Sequence, residues 1–262
     1  MDTITSKDNK IIRLYKKLSE SKKERISSQL FVTEGLRIIQ DVLSENIEIY
    51  SLIITQQNLD RYSVILSQAD LKGVKPVIIS NELGNRISCT EKTQGIFAIC
   101  RMKTQPHFES TIRQGGRYAV LYQLQDPGNT GTIIRTADAM GIDGIVLSES
   151  CDIYSPKTMR STMGSAFRMN LWNIPDIHYV ISCFKSNNIR TFPAVISDNA
   201  LSLEKCDFSD GGAVIIGNEG NGIPENIVSL CDTPVTIKMK GNINSMNAGM
   251  AAGIILWEMT RM

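Results

Sequence analysis

The stretch VIIGNEGNGIPE, residues 214–225, sets a β-branched run against a loop of three glycines and one carboxylate. A helix is expected to begin near Pro224. Strand, glycine-rich turn and helix in that order commonly bind a phosphorylated cofactor, because glycine lets the main chain come close to the ligand. Yet the loop contains no Lys or Arg. A Walker A loop requires Gly-Lys-Ser/Thr, and Gly-Lys occurs nowhere in the chain. The Rossmann fingerprint runs G-x-G-x-x-G, whereas Gly217, Gly220 and Gly222 run G-x-x-G-x-G. The loop suits instead an adenine read by backbone amides and carbonyls, joined to a positive centre that Glu219 tolerates. S-Adenosylmethionine has both parts.

Around this loop the second half of the chain alternates strand and helix patterns. YAVLYQL reads as a strand, followed by a helix from about Thr130 and a strand GIVLS. Helical SPKTMRSTMGSAF and DIHYVISCFKS come next, then strands FPAVIS, GAVIIG and PVTIKM, and a last helix from about Ser245. Strands separated by helices give an α/β fold with a mostly parallel sheet covered on both faces. Ligands in such sheets sit beyond the carboxyl ends of the strands. Three loops rich in Gly, Asn and Pro fall there: DPGNTGTIIR, GNEGNGIPE and KMKGNINSMNAG.

The first half holds a second alternation: strand LFVTE, helix GLRIIQDVLSE, strand YSLIIT, helix RYSVILSQA, and strands PVIIS and GIFAIC. We expect a small α/β domain over residues 1–103, a polar linker over 104–116 and the larger α/β domain over 117–262. The first 25 residues carry eight basic and four acidic side chains, a net of +4. Ile11, Leu14, Tyr15 and Leu18 fall at helical spacing, so a basic amphipathic helix is expected there. It is either a nucleic-acid contact or a solvated face.

The whole chain bounds the possibilities. With 262 residues, 42% hydrophobic and 21% charged, it is long enough for two domains with cores. AGMAAGIILW is shorter than the ~20 residues a bilayer requires, and the polar start MDTITSKDNK is no secretion signal. A cytoplasmic protein without membrane contact is the expectation. Six scattered cysteines and two histidines make no zinc pattern, so no metal is expected and the thiols read as reduced. A net charge of +1 leaves any nucleic-acid binding to local patches.

NTGTIIRTADAMG (129–141), IIGNEGNGIP (215–224) and IKMKGNINSMNAGMAAGIILWE (237–258) resemble, in order, the three motifs of the SpoU/TrmH RNA ribose 2'-O-methyltransferases. SPKTMRSTMGSAFR (155–168) is similar to the segment between the first two motifs. FVTEGLRIIQDVL and TEKTQGIFAI resemble the L30e-like substrate-binding domain that many members carry at the N-terminus. The resemblance implies a SPOUT domain with a deep trefoil knot, S-adenosylmethionine as cofactor, RNA (ribosomal rather than transfer) as substrate, and a homodimer built through the C-terminal domain.

It also implies roles. Asn129, Arg135, Glu219, Ser245 and Asn247 would be catalytic. Val195, Gly217, Asn218, Glu219, Gly220, Ile237, Met239, Ser245, Met246 and Asn247 would hold the cofactor. Lys10, Arg13, Lys16, Lys17, Arg135 and Arg168 would contact RNA. Read without the resemblance, Asn129, Ser245 and Asn247 are ordinary helix caps, Arg135 and Arg168 are surface ion-pair residues, and Asp126 is a turn residue. Glu219 is harder to assign to packing, lying as it does among glycines. The third motif departs from the common pattern at Met246, Ala248 and Gly249, where Leu, Val and Ser are frequent. These smaller or more flexible side chains are expected to enlarge the cofactor pocket. Catalytic silence with retained RNA binding, or 2'-O-methylation of transfer RNA, is the alternative reading; a nucleotide hydrolase is disfavoured by the missing P-loop Lys.

Overall fold

The basic N-terminal segment forms α1 (Lys10–Glu20), opened by Asn9, whose side chain accepts from the Ile11 N–H. One face buries Ile12, Tyr15 and Leu18, while Lys10, Arg13, Lys16 and Lys17 are exposed on the other. The computed structural model to which these elements belong describes residues 3–241, 243 and 245–261. Asn242 and Asn244 of the third Gly/Asn-rich loop lie outside them. By contact, the chain divides into two units, residues 1–104 with 152–167, and residues 105–151 with 168–262.

In the first unit, α1 is followed by α2 (Lys22–Ser28), β1 (Leu30–Glu34), α3 (Leu36–Ser44), β2 (Ile49–Thr55), α4 (Ser63–Leu71), β3 (Pro76–Ile79), α5 (Asn81–Ile87) and β4 (Ile96–Arg101). The sheet order is β1-β4-β2-β3, antiparallel except for the β2–β3 pair. Tyr15 meets Phe97 of β4 edge-on with ring centroids 5.6 Å apart, so α1 belongs to this core. Helix α5 has no apolar run in NELGNRI to betray it. Ser80 caps it by accepting from the Leu83 N–H, and Gly84 lets it lie on Thr55, whose methyl would be 2.3 Å from an added Cβ.

The second unit begins with α6 (Phe108–Thr111), within the stretch expected to be a linker. Phe108 is buried between Trp172 and Phe184, at centroid distances of 5.3 and 5.4 Å. Then come β5 (Arg117–Tyr122), α7 (Pro127–Met140) and β6 (Gly144–Ser148). The next segment, 152–167, is grouped with the first unit. It folds as α8 (Pro156–Ser161) and α9 (Ser165–Arg168), broken where Met163 and Gly164 both take left-handed backbone, φ 50° and 86°. Within that unit, Tyr154 and Phe167 pack on Phe31 at 5.1 and 6.0 Å. Asp152 pairs with the buried Arg25 at 2.6 Å.

Returning to the second unit, the chain forms β7 (Leu171–Asn173), α10 (Ile177–Ser186), β8 (Thr191–Pro193), β9 (Leu201–Ser202), β10 (Gly212–Ile216), α11 (Glu225–Val228), β11 (Val235–Thr236) and α12 (Ala248–Thr260). Five parallel strands run β7-β6-β5-β10-β8. The fold is thus a parallel α/β sheet preceded by a smaller α/β unit. The strands read from FPAVIS and PVTIKM are shorter than the apolar runs. β11 pairs with β9 as a two-stranded ladder and is linked to the residues just after β8 by one isolated bridge, Val235 to Ala194. Among the described residues no helix is long and apolar enough to cross a membrane.

Because α1 is core, a Leu18→Ala change is expected to cost about 2–5 kcal/mol, and Lys17→Ala less than about 0.5 kcal/mol, in urea denaturation. Equal effects of the two would remove α1 from the core. Deleting residues 1–25 would strip the unit of that core, so the exposed basic face has to be tested by charge substitution.

Candidate active site

β5 and β10 are neighbours: from β5 the chain goes outward to β6 and then β7, whereas β10 has on its other side β8, which precedes it in the chain. This is the point in a parallel sheet where loops part and leave a crevice. The loops that follow both strands meet there. Asn218 donates through Nδ2 to the Gln123 carbonyl at 2.8 Å. Gln123 itself takes φ 54° where the chain turns out of β5.

The loop after β10 closes on itself. Asn218 and Gly222 exchange both backbone hydrogen bonds, at 3.1 and 2.9 Å, and Asn218 Oδ1 accepts from the Gly220 and Asn221 N–H groups at 3.0 Å each. Two glycines are demanded by this geometry. A Cβ at Gly217 would fall 2.5 Å from the Gly222 carbonyl carbon, and Gly222 adopts φ 65°. Gly220 is different: a Cβ there would meet only Asn218 Oδ1, at 3.6 Å. Its smallness serves nothing in the loop itself.

Glu219 fastens this loop to the one after β5. Oε1 accepts from the Asp126 N–H at 3.0 Å and from Asn129 Nδ2 at 3.1 Å, and Oε2 from the Gln125 N–H at 3.2 Å. Burial pushes its carboxyl pKa up, but these donors together outweigh burial and hold it below the ordinary value. The carboxylate is therefore ionised at neutral pH. It acts as an acceptor, not as a base.

Asn129 is not the cap of α7. Asp126 is: its side chain accepts from the Asn129 N–H at 2.7 Å, with Pro127 at the first helical position. That frees the Asn129 amide, which donates to Glu219 and accepts, through Oδ1, from Asn247 Nδ2 at 2.8 Å. Asn247 caps α12 as well, accepting from the Met250 N–H at 3.2 Å. Cap and motif contact coexist at Asn247, whereas at Asn129 only the motif contact is present. α12 begins at Ala248, so Ser245 lies ahead of the helix.

Beside this network lies a cavity of about 760 Å³. Val195, Gly217, Asn218, Glu219, Gly220, Ile237, Met239, Ser245 and Met246 line it; Asn247 and Asn129 do not, and are linked to the lining by the Asn129 hydrogen bond to Glu219. Its lining among the described residues contains no Lys, Arg or His, and its two charged members are Glu219 and Glu225. Sequence reasoning missed the loop after β8, where Ala194, Ser197 and Asn199 join Val195 on the wall. That loop has no glycine signature, and only its place at the carboxyl end of β8 marks it. Of the three departures in the third motif, Met246 and Ala248 line the cavity. Gly249 does not enlarge it, because it faces α7: its Cβ would come 3.4 Å from Asn129 Oδ1 and 3.5 Å from the Thr132 methyl.

Arg135 is exposed on α7, six residues or about 9 Å along the helix from Asn129, and none of the described carboxylates pairs with it. It is not part of the cavity wall. Arg168 pairs with Asp138 through Nε and Nη2 at 3.0 and 2.7 Å, the ion-pair alternative for this residue. Lys10, Arg13, Lys16 and Lys17 lie on α1 in the other unit.

This fold and site define a nucleotide-type cofactor protein of the α/β class, and comparison with known proteins gives its family. Residues 116–257 match the SpoU rRNA Methylase family, and residues 9–98 match the MRM3-like substrate binding domain. The chain belongs to the SpoU rRNA methylase family. It is 27% identical over 263 residues to the 23S rRNA (guanosine(2553)-2'-O)-methyltransferase RlmP of Bacillus subtilis, covering 99% of both chains. A 23S rRNA (uridine(2479)-2'-O)-methyltransferase of Streptomyces viridochromogenes is 30% identical over 69% of this chain and 63% of that one. The crystal structure of an AdoMet-bound rRNA methyltransferase from Sinorhizobium meliloti superposes with a TM-score of 0.86 at 26% identity, covering 99% and 97% of the two chains.

Replacing Asn129 by Ala should move the Glu219 titration midpoint up toward the ordinary carboxylate value, read by carbon NMR of the side-chain carboxyl. A carboxyl depressed in the folded state stabilises above its unfolded pKa and loses that stabilisation as pH falls through its folded pKa. The acid side of the stability curve should therefore flatten in Glu219→Gln. An unmoved midpoint in Asn129→Ala would assign the depression to the backbone donors alone.

Proposed function

We propose that this chain is an S-adenosylmethionine-dependent methyltransferase that methylates a ribose 2'-hydroxyl in ribosomal RNA. The observation that carries the reading is the Glu219–Asn129–Asn247 bridge, which ties all three family motifs together beside a cavity whose described lining has no cation. Names and structures of full-length relatives support the same reaction and cofactor. The residues present fit that cofactor. The volume is in the range of small-molecule sites, the wall offers Gly220 as open main chain, and carboxylates rather than phosphate-binding cations face the space.

When bound, S-adenosylmethionine supplies an already activated methyl group, so the chain's task is largely to align the acceptor. Gly217, Asn218, Gly220, Ile237, Met239 and Met246, with Val195, form the cofactor wall in this reading. Glu219 and Asn129 fix the loops and Asn247 fixes the start of α12 relative to them. Arg135 contacts the target phosphate and polarises the 2'-hydroxyl. Ser245 faces the same space from the third motif. We assign the initial capture of RNA to the small N-terminal domain and the exposed basic face of α1, and chemistry to the residues from 117 onward. The C-terminal segment passes through the knot that the family's fold implies.

A homodimer through the C-terminal domain belongs to the same reading. α12 leaves Met250, Ile254 and Trp257 exposed at 62, 39 and 54%, spaced four and three residues apart along one face. A long apolar stripe of this kind is a surface for a partner. Arg135 would then serve the pocket of the opposite subunit. Mixing Arg135→Ala with Glu219→Ala protomers is expected to restore activity in the heterodimers, and failure of a dimer to do so would confine each site to one chain.

Unmodified rRNA transcripts incubated with the protein and labelled S-adenosylmethionine should acquire a methyl group that makes one phosphodiester resistant to alkali. Arg135→Ala should lower that transfer by about 100-fold or more while leaving S-adenosylhomocysteine affinity within a few fold. Base methylation, or transfer at wild-type rate by the variant, would overturn the respective assignment.

A further inference from the structure

Two successive peptide units just after β5 are each held at both ends. The Gln123–Leu124 unit offers its carbonyl to Asn218 Nδ2 at 2.8 Å, and its N–H, on Leu124, donates to Ser150 Oγ at 3.0 Å. In the Leu124–Gln125 unit the carbonyl accepts from the Cys151 N–H at 2.8 Å, and the N–H donates to Glu219 Oε2 at 3.2 Å. A peptide unit is planar, so its C=O and N–H point opposite ways and turn together. Whatever orients one end of each unit therefore orients the other. Residues 150 and 151 take one end of each, and residues 218 and 219 of the glycine loop take the other.

The backbone beside these units is strained. β5 and β6 stay paired as far as Tyr122 and Ser148, and the residues that follow, Gln123 and Glu149, take φ 54° and 51°. Neither is glycine, so left-handed backbone is disfavoured at both and persists because the surroundings hold it. Gln123 Nε2 donates to Glu149 Oε2 at 2.6 Å, and Gln125 Nε2 to the Glu149 carbonyl at 3.0 Å. Ser150 is 8% exposed. Its hydroxyl donates to the Leu121 carbonyl at 2.7 Å, which leaves the oxygen free to accept from Leu124. Cys151 reaches the first turn of α7, with Sγ 3.2 Å from Thr130 Oγ1. Residues 149–151 lie outside the three motifs and outside the cavity wall.

We propose that Ser150 is a positioning residue for the methyl-transfer site, acting through these two peptide units on Asn218 and Glu219. The inference rests on the proposed function, in that the glycine loop is taken to hold the cofactor. Glu219 fixes the loops relative to one another, but bonds among loops do not by themselves fix them to the sheet. Ser150 supplies that anchorage. Its hydroxyl ties Leu124 to Leu121, which lies inside β5 and is paired with Leu147 on one side and Ile216 on the other. Without the hydroxyl the buried Leu124 N–H loses its acceptor, a costly state that the peptide relieves by turning. Turning takes the Gln123 carbonyl away from Asn218, and the Gln125 N–H that follows away from Glu219.

The test compares Ser150→Ala and Ser150→Cys with a control, Ser148→Ala, all in the full-length protein. Ser148 is buried on β6 two residues earlier, and its hydroxyl donates to the Pro175 carbonyl at 2.8 Å instead of to the loop after β5. The readouts are the titration midpoint of the Glu219 carboxyl by carbon NMR and S-adenosylhomocysteine affinity by calorimetry. Ser150→Ala is expected to move the midpoint up toward the ordinary carboxylate value. It should also weaken S-adenosylhomocysteine binding by about fivefold or more, because members of one hydrogen-bond network couple. Ser150→Cys keeps the shape with a weaker acceptor and should shift both readouts the same way by less. It carries the test if the alanine variant does not fold. Ser148→Ala should lower the melting temperature and leave both readouts at wild-type values. An unmoved midpoint and affinity in the Ser150 variants would make the hydroxyl merely structural and overturn the proposal. Equal shifts in Ser148→Ala would also overturn it, since any loosening of the sheet would then produce them. A wild-type protein that binds no S-adenosylhomocysteine would overturn the functional reading instead, and the Glu219 midpoint would still decide whether Ser150 positions the loop.

Discussion

One carboxylate holds the catalytic half of the molecule in register. Glu219 accepts two backbone N–H groups and one side-chain amide from the loop and helix after β5, and the acceptor oxygen of that same amide receives Asn247 at the cap of α12. Three segments are thereby joined through three side chains, with Asn129 and Asn247 lying 118 residues apart. Hydrogen bonds to an ionised acceptor are the stronger kind, and here they are numerous enough to depress the pKa against the opposing effect of burial. Any loosening of this hub would let the loop after β10 and the N-terminus of α12 move independently. The cavity between them would then have no fixed shape.

The hub works because small residues let the elements approach. Gly217 permits the crossing of the loop over Gly222, and Gly249 brings α12 to within contact of Asn129 and Thr132 on α7. One turn further on, a Cβ added at Gly253 would meet the Thr136 methyl at 3.9 Å. At Gly249, a frequent family Ser would place its Cβ 3.1 Å from Asn247 Oδ1, tighter than ordinary contact. The departure from the common motif therefore gives room to the amide bridge. It does not read as decay of the site.

The parallel sheet, its strand centres and the three loops at one end of it were legible because apolar periodicity and glycine position carry that information locally. The chemistry of the pocket was legible in part: residues 214–225 spell out a glycine loop without a cation, and that alone argues against a phosphate ligand. What escaped was non-local or weakly marked. Asp126 and Asn129 are both good caps, and the deciding signal is Pro127 directly after Asp126. α5 and β7 lack apolar periodicity, and Phe108 is a single aromatic in a polar stretch whose burial depends on Trp172 and Phe184. The grouping of residues 152–167 with the N-terminal unit, through Arg25, Phe31 and Asp41, cannot be read from the local pattern. The loop after β8 entered the pocket wall by topology alone.

The central claim is that the cavity beside Glu219 holds an adenosyl ligand with a positive centre and no phosphate. Titration calorimetry with two adenosine-containing ligands tests this most directly. S-Adenosylmethionine should bind saturably with one site per protomer, and ATP should show no heat of binding at the same concentrations, because the described residues of the wall include no cation to meet its phosphates. Binding of ATP with comparable affinity, or no saturable binding of S-adenosylmethionine, would contradict the account.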